Sequence, residues 1–363
     1  MIHRDSTHKN KLLLFLNQHK KIVIIIAALI ALSIVGAIFY LSTNYKLKST
    51  DINSSVGNID TPTIVAPKYY SPLTGNQVDS ESSTKQAVTG IMIENSPDAR
   101  PQSGLKESGL VFETIAESTI TRFLALYQEQ KPQLIGPVRS VRLYYVDWIA
   151  AFDASVAHIG GSQFALKEVR NGNYRDIDQF FNSAYYWRAT DRYAPHNVYT
   201  SFEKLDALNS KKGYTTSNFT GFTRKDSSSA EIPTASTISV KISETTYNSA
   251  YIYDKNTNTY LRSVGGKPHM DREKGQISPR VVVVMKAKMS QIFEDGWRES
   301  IETIGSGDAY IFQDGLVAKA TWTKASKKDQ IKFTDSEGKD VPLARGQTWI
   351  TAVPKDSGDV SWQ

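Results

Sequence analysis

Apolar residues fall into three regimes along the chain. Ile22 to Leu41 is an uncharged run in which Ser33 and Tyr40 are the only markedly polar members, long enough to cross the hydrocarbon core of a bilayer as a helix. From Ala87 short apolar segments mix with amphipathic ones. Strands are predicted at Val88–Glu94, Leu110–Ala116, Arg122–Tyr127 and Ala154–Ile159, and helices at Val138–Phe152, Gln163–Arg170 and Ser201–Leu208. In the first helix Val141, Tyr144, Tyr145, Trp148, Ile149 and Phe152 recur at helical spacing, which marks a core face. Beyond residue 236 the pattern is almost wholly β. Two strands share Ala250–Val264, others follow at Arg280–Lys286, Ala309–Gln313, Leu316–Thr323, Gln330–Phe333 and Gln347–Val353, and Asp314-Gly315 and Glu337-Gly338 suit hairpin turns. The expected fold is an α/β or α+β extracytoplasmic domain followed by a mainly antiparallel β domain, behind a single transmembrane helix.

Polar stretches set the boundaries. A tail (1–21) and the span (22–41) precede a Ser-, Thr- and Asn-rich tether (42–85), in which Tyr69–Gly75 is the one patch expected to touch the domain that follows. The α/β domain then covers 86–224, a linker 225–236, and the β domain 237–363.

Charge refines this layout. Residues 1–50 carry seven Lys and Arg against one Asp, which accounts for the whole formal charge of +6, and the 36 basic and 36 acidic side chains beyond them cancel. The basic excess therefore belongs to the membrane region and nucleic acid is not an expected partner. Lys9, Lys11, Lys20 and Lys21 precede the apolar run, so its first end is expected in the cytoplasm and the domains outside. The run exceeds the apolar core of a cleavable signal and closes on bulky Phe39-Tyr40-Leu41, which favours an uncleaved anchor. The chain has no cysteine, so disulfides, thiolate sites and acylated cysteines are excluded. His158, His196 and His269 lack ligand spacing, and neither a Gly-rich nucleotide fingerprint nor a Gly-x-Ser-x-Gly elbow is present, so no metal or cofactor is expected.

The candidate chemistry centres on Gly136-Pro137-Val138-Arg139-Ser140-Val141-Arg142. Gly136 suits an N-cap and Pro137 a first helical position, which would place Arg139 and Arg142 on one face of the first turns. Cations there are disfavoured by about 0.3–1 kcal/mol each. A negative partner must compensate, either a carboxylate of the same domain (Glu94, Glu113, Glu117 or Asp147) or an anionic ligand. His158-Ile159-Gly160-Gly161-Ser162 repeats the logic: a strand, a glycine turn, and Ser162 as N-cap of Gln163–Val169, with N–H groups at Gly160 and Gly161 available to an anion. Asn171–His196, dense in aromatic and charged residues including Arg188, suits either a loop packed on the sheet or one that grips sugars or a lipid-linked head group.

Glu94-Asn95, Ala99–Leu105, Gly136–Arg142, the His158-Ile-Gly-Gly turn and Pro195-His196-Asn197 resemble the amino-terminal domain of the YerB family, bacterial envelope lipoproteins of unknown function. Asn258–His269, Gly305-Ser-Gly307, Phe312–Gly315, Thr321-Trp322 and Gly346–Ile350 resemble its carboxy-terminal domain. The resemblance implies an envelope location, although those relatives commonly carry a lipidated cysteine where this chain has an apolar helix. A fainter likeness is to the LytR-CpsA-Psr phosphotransferases, which bind a lipid pyrophosphate with arginines. Thr121-Arg122-Phe123, Pro137–Ser140 and Gly160-Gly161 follow that family's order of elements, but the carboxylates expected at Leu124 and Ser140 are missing.

Three functions fit. The first is a binding module in which Arg100, Arg122, Arg139 and Arg142, with Gly160, Gly161, Ser162 and Arg188, hold an anionic wall precursor or polymer. The second is a phosphotransferase or hydrolase on a lipid pyrophosphate, with Glu94, Glu117 or Asp147 as base and His158 or His196 as acid/base. The third is a scaffold for other envelope proteins. A binding or scaffold module is the preferred reading. It predicts that Arg139→Ala and Arg142→Ala lose anion binding while staying folded, as read by ligand-induced shifts in melting temperature.

Overall fold

The strands that form the core are apolar on both faces, and each of those faces is covered. The computed structural model describes residues 67–292 and 298–363; the predicted tail, span and first part of the tether lie outside the described residues. In chain order its main elements are β1 (Thr89–Glu94), β2 (Leu110–Glu117), β3 (Ile120–Tyr127), α1 (Leu143–Ile149), β4 (Ser155–Ala157), α2 (Gln163–Val169), β5 (Arg175–Asp176) and α3 (Phe202–Lys212). They continue with β6 (Thr237–Lys241), β7 (Ser249–Asp254), β8 (Thr259–Val264), β9 (Lys267–Pro268), β10 (Val281–Ala287), β11 (Met289–Ile292), β12 (Arg298–Ile301), β13 (Gly305–Gln313), β14 (Leu316–Lys324), β15 (Lys332–Thr334), β16 (Thr348–Pro354) and β17 (Asp359–Trp362).

A 12-stranded sheet runs in the order β15-β14-β13-β10-β16-β2-β3-β1-β4-β5, with the β11–β12 hairpin joined to the end of β2. It passes without a break from the second half of the sequence into the first, because β16 pairs in parallel with both β10 and β2. The antiparallel expectation for the second half holds for β10–β13, β13–β14 and the five-stranded sheet β9-β8-β7-β6-β17. The exceptions are the parallel β16 and the short parallel pairing of Leu343–Ala344 with Arg224–Lys225. The first half is less helical than an α/β layer: the described residues are mostly β.

Alternation along the strands sorts the side chains into three clusters. Leu110, Phe112, Ile350, Val281 and Val283 face α1, whose Tyr145, Trp148 and Ile149 are buried as its periodicity predicts. On the opposite face Val111, Phe123 and Trp349 pack with Leu205 and Leu208 of α3. Further along that face Val282, Val284 and Phe312 meet Ile238, Tyr251 and Tyr260 of the five-stranded sheet.

Two segments differ from expectation. The predicted helix from Val138 begins only at Leu143, with Arg142 as its extended N-cap. Residues 137–141 are instead extended, because Glu94 N donates to the Pro137 carbonyl, Arg139 N to Met92, Val138 N to Val198, and Val141 N to Gly160. Four tertiary hydrogen bonds outweigh the helix start that Gly-Pro offers. Tyr69–Val78, assigned to the tether, is a folded hairpin with Leu73 buried. Arg224 holds it through the Leu73 carbonyl at 2.5 Å, and Arg345 lies 4.1 Å over the Tyr70 ring.

Between the two clusters on the second face sits a buried ion pair. Arg262 of β8 donates from Nη2 to both oxygens of Glu113 of β2, at 2.8 and 2.9 Å, and neither side chain is exposed. Its other donors reach Tyr251 Oη and His269 Nδ1, both at 3.0 Å, and its guanidinium lies 4.5 Å over Trp349. Trp349 Nε1 donates to Glu113 at 2.8 Å. His269 Nδ1 accepts from Arg262, so Nε2 carries the proton toward Gln102 Oε1 at 2.9 Å, and Gln102 in turn donates to the Glu94 carbonyl at 2.9 Å. The chain of bonds thus ends at the last residue of β1.

Truncating one partner strands the other charge. Arg262→Met should cost about 3–5 kcal/mol in denaturant unfolding, and adding Glu113→Leu should recover most of that loss. Burial, reinforced by Arg262 and Arg100, holds His269 well below the ordinary imidazole range. The folded ring stays neutral while the unfolded one protonates near pH 6.5, so the contribution to stability falls with pH below that point, by up to about 1.4 kcal/mol per pH unit. Denaturant titrations at pH 7.5 and 5.5 should show that loss in the parent and a smaller one in His269→Gln.

Candidate functional site

The extended segment 137–141 lies between the end of β1 and the turn at 158–162. Arg139 N donates to Met92 on one side, while Ile159 N donates to the Arg139 carbonyl and Ser162 N to Val141 on the other. Two stretches singled out from the sequence are thereby brought together. Ser162 caps α2 as predicted, its hydroxyl accepting from Ala165 N. The glycine turn, however, already holds an anion. Asp178 Oδ1 accepts from Gly160 N and from Phe180 N, both at 3.1 Å, and its Oδ2 meets Arg170 Nη2 at 2.5 Å. His158 is buried beneath, with Nδ1 2.8 Å from the Gly160 carbonyl and Nε2 3.0 Å from Asp176. This ring braces the turn from inside and does not reach the surface.

The expected arginine cluster divides. Arg122 and Arg142 are buried and share the Glu117 carboxylate; Arg122 Nη2 lies 3.5 Å from it, and Arg142 Nη2 pairs with the same oxygen. Arg122 also donates to the Ser140 carbonyl at 2.7 Å and Arg142 to Val141 at 2.8 Å. Burial lowers the Arg122 pKa. These two arginines are structural, and the carboxylate that offsets them is one of the four named from the sequence. Of the others, Glu94 pairs with Arg139 (Oε1 to Nε, 3.1 Å), Glu113 goes to Arg262, and Asp147 accepts from Thr303 at 2.8 Å and faces Lys327 at 3.6 Å. Asp147 is thus remote in role from the arginines, and burial raises its pKa. Arg100 is also spent elsewhere, on Asn95 and on the Thr246 carbonyl, with Tyr247 5.4 Å beneath it.

Arg139 remains partly exposed and opens into a cavity of about 550 Å³ lined by Ser140, Gly160, Gly161, Arg170, Arg188 and Phe181. Arg188 donates to Asn197 Oδ1 at 2.7 Å. Arg170 lies 4.9 Å over the Phe181 ring and is offset by Asp178 and Asp176. Phe180 and Phe181 are 67% and 72% exposed at its rim. Residues 171–196 therefore divide between both readings: Tyr186 is buried with its hydroxyl on the Ile177 carbonyl, while the two phenylalanines and Tyr193 face outward. Beside the cavity Glu94 Oε1 also meets His196 Nδ1 and Ser96 Oγ, each at 2.9 Å, and Glu94 Oε2 has no hydrogen-bond partner among the described residues. Arg170 escaped sequence reasoning because it ends a predicted helix, where a cation is expected for the dipole alone. No group of three or more His, Asp or Glu arranged to hold a metal occurs among the described residues.

A mostly β fold in which one sheet runs through both halves of the sequence, with an arginine-lined cavity beside it, defines a two-part β-rich protein. Residues 73–215 match the N-terminal domain, and 238–350 the C-terminal domain, of the family described as protein of unknown function DUF3048. YerB of Bacillus subtilis (strain 168), described as a candidate lipoprotein, is 33% identical over 303 residues, 82% of this chain and 90% of YerB. The crystal structure of the Bacillus subtilis YerB protein superposes with a TM-score of 0.72 at 30% identity, covering 81% of this chain and all of that one. The chain belongs to this YerB-like DUF3048 family.

Gly160 has φ +60°, and a Cβ there would lie 3.0 Å from the Phe180 ring. Gly160→Ala should cost about 1–2 kcal/mol from the left-handed backbone alone and displace Phe180, measurable as a lower denaturation midpoint.

Proposed function

We propose that this protein is anchored in a bacterial cell membrane with its folded part outside the cytoplasm, where it binds an anionic, phosphate-bearing wall precursor or polymer between Arg139, Arg170 and Arg188. The observation that carries this reading is the convergence of three guanidinium groups on one open cavity, with Arg188 held, among the described residues, by a neutral amide oxygen. Guanidinium forks pair bidentately with phosphate oxygens. The exposed Phe180 and Phe181 add faces on which a sugar or an apolar tail can rest. The apolar run 22–41 with lysines before it, and the description of the relative as a candidate lipoprotein, support the location. The same module can serve as a scaffold for envelope proteins.

One observation favours a catalytic form, a phosphotransferase or hydrolase acting on a lipid pyrophosphate. The Glu94–His196 pair adjoins Arg139, so a carboxylate-supported imidazole stands beside a phosphate-holding group. Turnover of a polyprenyl pyrophosphate by the parent, abolished in Glu94→Gln, would establish it; no turnover leaves the binding role.

Arg139→Met and Arg188→Met should each weaken binding of a short poly(glycerol phosphate) in calorimetric titration by about tenfold, the loss of one charge-assisted hydrogen bond, with melting temperatures near the parent's. Arg142→Met should instead lower stability by about 1–3 kcal/mol. Absence of binding by the parent would refute the proposal.

A further inference from the structure

A larger cavity lies elsewhere. It measures about 1030 Å³ and is walled by the end of α1, residues 173–175 and 218–220, the start of β13, and the end of β14 with the loop that follows. None of the residues discussed as an arginine site lines it.

Its chemistry is mixed in a particular way. Four cations, Arg175, Lys324, Lys328 and Lys332, face it against two carboxylates, Asp153 and Asp329. Arg175 is paired with Asp153 at 2.7 Å. Lys324 is different: its side chain is buried, and its ammonium donates to the backbone carbonyls of Lys327, at 2.8 Å, and Asp329. Both are neutral groups. An ammonium has three donors, of which these carbonyls take two, and Lys324 lines the cavity. Burial pushes the pKa of this ammonium down to about 8 and the Asp147 and Asp329 carboxylates oppose only part of that shift, so an anion entering the cavity would favour its charged form further.

The other walls describe what carries the anion. Asn173, Asn218, Thr220, Ser306 and Gln330 present amides and hydroxyls that both donate and accept, the match for ligand hydroxyls. Tyr174 and Phe219 supply partly buried rings on the same walls. A purely apolar ligand would leave those polar groups unpaired, and a bare phosphate would use only the lysines.

The geometry points to this cavity as a binding site for an acidic oligosaccharide, its carboxylate or phosphate directed at Lys324 and its hydroxyls at the amide wall. This site is independent of the Arg139–Arg188 cavity.

Calorimetric titration of the full chain with hyaluronan tetrasaccharide, neutral chitotetraose and inorganic phosphate tests it. The acidic tetrasaccharide should bind at least about tenfold more tightly than either of the other two. Lys324→Met and Ser306→Trp, which fills the cavity from an exposed strand position, should each weaken it by a similar factor, while Arg188→Met leaves it unchanged. If Lys324→Met fails to fold, the Lys328→Ala/Lys332→Ala double variant carries the charge test and should weaken binding in the same direction. No binding by the parent at millimolar concentration, equal binding of the acidic and neutral sugars, phosphate as tight as the tetrasaccharide, or undiminished binding by Ser306→Trp would overturn the assignment.

Discussion

The fully buried pairing of Arg262 with Glu113 is the constraint on which the rest of this structure depends. Two charges removed from water carry a desolvation cost of several kcal/mol each. It is offset here because the groups around the pair complete it: Trp349 donates to Glu113, Tyr251 and His269 accept from Arg262, and three aromatic rings enclose the guanidinium. These partners come from β2, β3, β7, β8 and β16 and from the segment before β10. The pair can form only when the five-stranded sheet and the large sheet are both in register, so it couples regions far apart in sequence.

That coupling extends to the end of β1 and the cavity beside it. His269 leads to Gln102, and Gln102 bonds the Glu94 carbonyl and the Asn95 side chain, which in turn accepts from Arg100. The backbone at the end of β1 is therefore fixed from below by the core. The same strand end organises the extended 137–141 segment above it, and through that segment the glycine turn. Arg139 acquires its place from backbone hydrogen bonds on both sides, and what it faces is then decided by Arg170, Arg188 and the exposed phenylalanines.

The protein supplies most of its own counterions. Asp178 occupies the glycine turn, Glu117 is shared by two buried arginines, and Glu94 meets Arg139 and His196 together. Such internal pairing leaves Arg188, on the amide oxygen of Asn197, as the cavity arginine without a carboxylate partner among the described residues. The larger cavity follows a different plan, with a buried ammonium on carbonyl oxygens and a wall of amides and hydroxyls. The lining of the first is dominated by guanidinium groups and aromatic rings; that of the second joins charge to amides and hydroxyls.

Local pattern alone was sufficient for the strand positions, the aromatic core stripe of α1, the Ser162 cap and the Asp314-Gly315 hairpin, because each follows from periodicity or turn chemistry; it narrowed the partners of Arg139 and Arg142 to four carboxylates without choosing among them. Residues 136–142 were misread for the converse reason. Their local signals favour a helix, and bonds to Met92, Glu94, Val198 and Gly160 outweigh them. The parallel placement of β16, the ion pair across 149 positions of sequence, and the division of the arginines between interior and cavity were likewise settled only in three dimensions. No window of sequence contains those partners, and the free energy that selects among them comes from burying them together.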